Sequence, residues 1–306
     1  MRAVVFTEYG PAGVLHVAEV PAPHPGPGQI RVAVRAAGVT PAETKIRSGA
    51  LTSAVKATFP VILGFDAAGV VDEIGAGVAG VEIGDEVFGV STVTLRATQA
   101  EHAVLAHWAP KPAQWSWAEA GGAASSVETS TRVLDQLAPG VLLINGAAGA
   151  VGTVAVQLAV ARGDTVIGTA GENNHEFLRT LGAIPVTYGP GLAERVAAYE
   201  VDSVFDCAGG ALSELIAIAG SPAKVVTIAD FGAPAHGVHL SHGAPPGSPF
   251  GDPDPMAFHG LEAAVRLADE DRLRIPVAGA FPFADAASAH ELSETGHARG
   301  KIVLLP

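Results

Sequence analysis

The residues best suited to chemistry lie together in Val141–Gly152, which reads V-L-L-I-N-G-A-A-G-A-V-G. Five residues able to form a buried parallel strand run into Gly146, Gly149 and Gly152, and an apolar, helix-compatible run follows from Thr153 to Ala161. Strand, glycine turn and helix in that order suit a bound pyrophosphate. Glycine lets the backbone turn sharply and come close to phosphate, and a helix N-terminus supplies unpaired N–H groups with a partial positive charge. The candidate contacts are Gly146, Ala147, Ala148, Gly149, Ala150, Val151 and Gly152. The spacing is G-x-x-G-x-x-G rather than the commoner G-x-G-x-x-G, and alone it also fits a strand-to-helix turn that binds nothing.

The elements that must hold this turn in place follow from the pattern on either side. Helix-like sequence runs from Trp117 to about Leu137, closed by Pro139-Gly140. Strand-like segments Val141–Asn145, Thr165–Thr169, Pro185–Thr187, Val201–Asp206 and Lys224–Ile228 then alternate with helix-like ones, which predicts a parallel sheet covered on both faces. Before Trp115 the chain reads as short strands, with glycines at 64, 69, 75, 77, 80 and 84 suited to the tight turns of a small barrel. Thr40-Pro41-Ala42-Glu43 has the residue types of a capping box opening a short helix toward Arg47. The segment Gly243–Pro255 carries five prolines and reads as loop; helices over Leu261–Glu270 and Ala284–Leu292 and a strand over Lys301–Leu305 end the chain. The expected division is 1–114 with 246–306, and 115–245. The tail is expected to rejoin the first domain, with a cofactor between the two.

Composition narrows the function. The 306 residues are 48% hydrophobic and 16% charged, enough for two compact domains. A net charge of −13 argues against nucleic acid or an anionic membrane surface as partner. The single cysteine, Cys207, excludes an intramolecular disulfide and a multi-cysteine zinc site, and suits a reducing cytoplasm. No signal peptide is read ahead of the Ala3–Phe6 run, and Asn145 and three glycines break the apolar stretch Val141–Ala161, so no membrane span is expected. No G-x-S-x-G elbow, G-x-x-x-x-G-K-[ST] loop or Tyr-x-x-x-Lys pair is present.

Several separate stretches then point one way. M-R-A-V-V-F-T-E-Y-G, G-V-T-P-A-E-T-K-I-R-S-G, L-G-F-D-A-A-G-V-V, G-D-E-V-F-G, G-A-A-G-A-V-G, V-F-D-C-A-G-G and G-H-A-R-G-K-I-V-L occur in this order. The chain thereby resembles, over its whole length, the zinc-independent medium-chain dehydrogenase/reductases of the quinone oxidoreductase, or zeta-crystallin-like, branch. The resemblance implies an α/β fold: a Rossmann-type doubly wound parallel sheet domain plus a β-rich GroES-like barrel catalytic domain. It implies NADPH-dependent hydride transfer to a small-molecule quinone or α,β-unsaturated carbonyl compound (an enone), and a homodimer; the cytoplasmic expectation rests on the single cysteine. An enoyl or polyketide-type reductase, or a non-catalytic NADPH-binding protein, are the alternatives.

Zinc-dependent relatives place a cysteine where Thr40 stands and a histidine–glutamate pair where Phe65-Asp66 stands, so no metal is expected, and His102 and His107 read as ordinary histidines. At the end of the second strand the position that is acidic in NAD-type sites is Gly171, which favours NADPH; acidic Glu172 beside it leaves NADH possible. Arg179 and Tyr188 are candidates to reach the adenosine phosphate, and Asn174 is a further cofactor-binding candidate; by matched position Thr129 falls at the nicotinamide ribose, with Ala208, Ile228 and Ala229 lining the cleft. Lys301 reads either as a cation approaching the cofactor from the tail or as a solvated one. Thr40, where the family commonly has asparagine, is the catalytic candidate and equally a plain helix cap.

Overall fold

The structure, a computed structural model, describes residues 1–92, 97–244 and 247–306. It divides into two compact units, Met1–Ser125 with Ala244–Pro249 and Phe258–Pro306, and Ser126–Gly243 with Phe250–Ala257. The expected boundary at 245/246, and Pro245 and Pro246 of the proline-rich loop, lie outside the described residues.

In chain order the first unit holds β1 (Arg2–Phe6), β2 (His16–Glu19), β3 (Ile30–Val39), α1 (Pro41–Ser48), β4 (Val61–Ile62), β5 (Asp66–Ile74), β6 (Glu86–Val90), β7 (His102–Leu105) and β8 (His107–Pro110). Helix α2 (Trp117–Leu134) follows, and the division between the units falls within it, after Ser125. The second unit continues with β9 (Val141–Asn145), α3 (Ala150–Arg162), β10 (Thr165–Ala170), α4 (His175–Thr180), β11 (Ile184–Thr187), α5 (Leu192–Val196), β12 (Ser203–Asp206), α6 (Leu212–Ala219), β13 (Val225–Thr227) and β14 (His239–Leu240). The tail adds α7 (Gly260–Asp269), β15 (Val277–Pro282), α8 (Ala286–Glu294) and β16 (Lys301–Leu305) to the first unit.

In the first unit β3 is the hub. Its first half alternates, with Ile30, Val32 and Val34 buried, and its second half, Ala36–Val39, is buried throughout. It pairs with β5, β7 and the C-terminal β16, so the tail closes this sheet, in the order β15-β16-β3-β5-β6-β8. Ile30, Val32, Val34, Val71, Val87 and Leu105 pack as its core, each fully buried aliphatic side chain contributing about 2 kcal/mol of transfer free energy.

In the second unit six parallel strands lie in the order β11-β10-β9-β12-β13-β14. The strand order reverses between β9 and β12. Such a switch point opens a crevice beyond the strand C-termini, where ligands of open α/β sheets bind. The strands read as continuous apolar runs because both faces are covered. Leu143, Ile167 and Val204 pack with Leu192, Val196, Leu212 and Leu215 of α5 and α6.

Three strands depart from the expected series. The parallel sheet does not close at β13, because β14 adds a two-residue strand, too short for any periodicity to register. β15 reads V-A-G-A-F-P, without polar alternation and with Gly279 and Pro282 as breakers, yet it pairs in parallel with β16. β8 reads H-W-A-P and pairs with β6. No helix among the described residues is long and apolar enough to cross a membrane.

Candidate functional site

The glycine turn sits where β9 feeds α3. Gly146 has φ +78°, a left-handed conformation that disfavours any side chain. A Cβ there would lie 2.9 Å from Ala208 Cβ, so this loop and the loop after β12 touch. At Gly152 a Cβ would fall 2.2 Å from Gly146 O and 2.8 Å from Ala147 Cα; the missing side chain there lets α3 pack on its own turn. Gly149 differs. A Cβ would meet nothing closer than Gly146 O at 3.4 Å. Helix α3 has Gly149 as N-cap and no side-chain cap, and Thr153 N–H to Gly149 O (3.0 Å) begins its bonding. The N–H groups of Ala150, Val151 and Gly152 therefore precede the first intrahelical bond. An uncapped helix of 13 residues behind an open glycine fits a pyrophosphate. Ala147 is placed differently from expectation: it is fully buried and its N–H bonds to Thr169 O (3.0 Å), so it offers neither side chain nor donor. Ala148 is half-buried in the turn.

At the end of β10, a Cβ on Gly171 would meet only Tyr188 Cε1, at 3.9 Å. Tyr188 is exposed. Asn174 ends a short 3-10 turn before α4, with its N–H on Gly171 O (2.8 Å). Arg179 is engaged by Glu176 (3.0 Å), both exposed.

The strand ends carry a feature that the expectations missed. Thr169, Asn145, Asp206 and Thr227, at or next to the ends of β10, β9, β12 and β13, form a hydrogen-bonded row, all at least nine-tenths buried. Thr169 Oγ1 donates to Asn145 Oδ1 (2.7 Å), Asn145 Nδ2 to Asp206 Oδ1 (2.8 Å), and Thr227 Oγ1 to Asp206 Oδ2 (2.7 Å). Parallel register sets Asn145 beside Asp206 and Asp206 beside Thr227, which puts these side chains on one face. A sequence signal existed: V-L-L-I-N, S-V-F-D and V-V-T are apolar strands that each end on a polar residue.

Beyond the row, Ala208 is exposed, and Ile228 and Ala229 are half-buried after β13. Thr129 donates through Oγ1 to Glu128 Oε2 (3.2 Å) and accepts from Arg132 Nη2 (3.4 Å). Glu128 and Arg132 form a buried i,i+4 ion pair (2.8 Å), also unforeseen, that fixes this turn of α2.

In the first unit Thr40 caps α1, its N–H held by Glu43 Oε2 (3.0 Å). Lys301 is not solvated; it is 1% exposed. Its Nζ lies 3.5 Å from Asp66 Oδ2 and donates to Ser125 Oγ (3.2 Å), while Ser125 Oγ donates to Asp66 Oδ2 (2.6 Å). Gly122 and Gly38 make room: a Cβ at Gly122 would lie 2.9 Å from Lys301 Cβ, and one at Gly38 2.1 Å from Asp66 Oδ1.

Comparison with known proteins agrees with this architecture. Residues 26–139 match the alcohol dehydrogenase GroES-like domain family, and residues 181–304 the zinc-binding dehydrogenase family. The solved quinone oxidoreductase of Coxiella burnetii superposes with a TM-score of 0.83 at 30% identity, covering 100% of this chain and 99% of that one. The NADPH-dependent alkenal/one oxidoreductase of Arabidopsis thaliana chloroplasts is 30% identical over 100% of this chain and 80% of its own length. The chain belongs to the quinone oxidoreductase family of medium-chain dehydrogenase/reductases. The rat quinone oxidoreductase is 37% identical over a shorter match, 58% of this chain and 55% of that one.

The donor set here does not fit a zinc ion. Thr40 and Phe65 bring no zinc-type ligand, and Asp66 is engaged by Ser125 and Lys301. His102 pairs with Asp72 (2.8 Å), and His107 stacks on Phe258 with ring centroids 3.7 Å apart, burial lowering its pKa. Among the described residues no group of three or more His, Cys, Asp or Glu could hold a metal ion.

Proposed function

We propose that the protein is an NADPH-dependent oxidoreductase that passes hydride to quinones or α,β-unsaturated carbonyl compounds without a metal ion. The observation that carries this reading is the open Gly149 in front of the uncapped α3, at the switch point of the parallel sheet. The first-turn amides of α3 hold the pyrophosphate. Open space at Gly171, with Asn174 and Tyr188 beside it, receives the adenosine phosphate. Thr129, Ala208, Ile228 and Ala229 serve the nicotinamide side, and Lys301 holds Asp66 rather than the cofactor. Bound NADPH supplies a hydride from nicotinamide C4. Cytoplasmic location and a homodimer belong to the same proposal; light scattering after gel filtration tests the latter.

Hydride delivery to an isolated ketone builds full negative charge on one oxygen, which needs a Lewis acid or a strong donor. A quinone or enone spreads that charge over its conjugated system. NADPH oxidation is therefore expected with conjugated acceptors and not with saturated ketones, and the opposite pattern would overturn the mechanism. Thr40→Val keeps the side-chain shape and removes the hydroxyl; turnover should fall about tenfold, the scale of a lost hydrogen bond or modest proton assistance. Elemental analysis of purified protein should find no stoichiometric zinc, and about one zinc per chain would refute metal independence.

A further inference from the structure

We propose that Asp206 is a positioning residue for the cofactor, locking three loops into the shape that receives it. The inference rests on the functional reading above and adds to it a residue that touches no ligand. Four donors converge on the two oxygens of the fully buried Asp206. Oδ1 accepts from Asn145 Nδ2 (2.8 Å) and from the backbone N–H groups of Ala208 (3.1 Å) and Gly209 (2.9 Å); Oδ2 accepts from Thr227 Oγ1 (2.7 Å). That is the pattern of an acceptor-only carboxylate.

The row extends the hold on both sides. Thr227 Oγ1, oriented by donating to Asp206, accepts from Ala229 N–H and Asp230 N–H (3.1 Å each). At the other end Thr169 Oγ1, oriented by donating to Asn145, accepts from Gly146 N–H (3.0 Å). Five loop amides are thus fixed by side chains of the row. They belong to the turn after β9 and to the loops after β12 and β13, the segments assigned to pyrophosphate and nicotinamide.

The three loops also lean on one another. Gly146 lies against Ala208, and a Cβ on Gly209 would meet Ala229 O at 3.4 Å. Gly209 has φ of +75°, a backbone state that local preference does not enforce and that the carboxylate holds through its N–H. Removing the central acceptor leaves buried donors unsatisfied and frees all three loops to fluctuate. Loops ordered before binding do not lose that freedom on binding, so the row raises affinity without contacting the ligand.

The test uses Asp206→Asn, Thr227→Val and Thr227→Ser in the full chain. NADPH binding is read by fluorescence titration, and amide exchange by NMR or mass spectrometry on the cofactor-free protein. Thr227→Val should speed exchange at Ala229 and Asp230 and weaken NADPH about tenfold. Thr227→Ser restores the hydroxyl and should recover most of both. Asp206→Asn should speed exchange at Ala208, Gly209, Ala229 and Asp230 and weaken NADPH by a similar factor, in excess of any fall in kcat at saturating NADPH. Asp206→Asn and Thr227→Val variants that bind NADPH as tightly as the parent, or unchanged exchange in both, would overturn the inference alone. A parent that binds neither NADPH nor NADH would overturn the functional reading itself and this inference with it.

Discussion

Gly149→Val is expected to bind NADPH about a hundredfold more weakly than the parent while keeping its fold, a difference worth about 2.7 kcal/mol of binding free energy. The backbone at Gly149 sits at φ −76° and ψ 178°, which any residue adopts. A Cβ there meets only Gly146 O, at an ordinary 3.4 Å, so the protein itself accommodates the new side chain. The valine methyls then stand in the space in front of α3 that a pyrophosphate needs for close backbone approach. The cost to the fold is limited to a poorer N-cap, about 1 kcal/mol. Gly152→Ala should do the reverse: its Cβ would fall 2.2 Å from Gly146 O, so the turn itself must shift and the melting temperature should drop. Fluorescence titration and thermal melts on both variants separate the two roles. Undiminished NADPH affinity in Gly149→Val would show that this loop does not cradle the cofactor.

The contrast between these two glycines marks the limit of what a sequence discloses. The strand–turn–helix at Val141–Ala161 is legible because apolar runs and glycine are local signals, and the parallel sheet follows from their repetition. Gly149 and Gly152 are identical letters, however, and only the distance to Gly146 O separates the open one from the packed one. Lys301 misleads for a related reason. R-G-K beside a chain terminus looks solvated, but Asp66 and Ser125, far away in sequence, enclose it. The polar strand ends at Asn145, Asp206 and Thr227 were readable, yet the network they form depends on strand order and register, which no local pattern supplies. Arg47, a basic residue in the last turn of a short helix, is 1% exposed, a burial that no local pattern supplies either.

Arg47 has a neighbour that makes the protein acid-sensitive, and lowering the pH from 7.5 to 5 is expected to cost about 2 kcal/mol of folding stability through His290 alone. His290, on α8, is fully buried, and among the described residues neither ring nitrogen has a hydrogen-bond partner. Burial, and then the Arg47 cation, lower its pKa from 6.5 to about 4. In the unfolded chain the imidazole takes a proton near its ordinary value of about 6.5. The folded protein resists that proton until about pH 4, so between these values the unfolded state binds more protons and is favoured as pH falls. Above pH 7 both states are neutral at this position and nothing is lost. Below pH 4 the loss levels off near about 3 kcal/mol, the full separation of the two pKa values. His290→Leu has a side chain of similar bulk, gives up no hydrogen bond and has no proton to gain. Its stability should match the parent within about 1 kcal/mol at pH 7.5, as for a volume-conserving core exchange, and exceed it by about 2 kcal/mol at pH 5. Carboxylates that protonate in acid are common to both proteins, so the difference isolates the imidazole. Urea denaturation at the two pH values measures it directly, and an equal loss of stability in parent and variant would show that His290 is not the residue that carries the acid sensitivity.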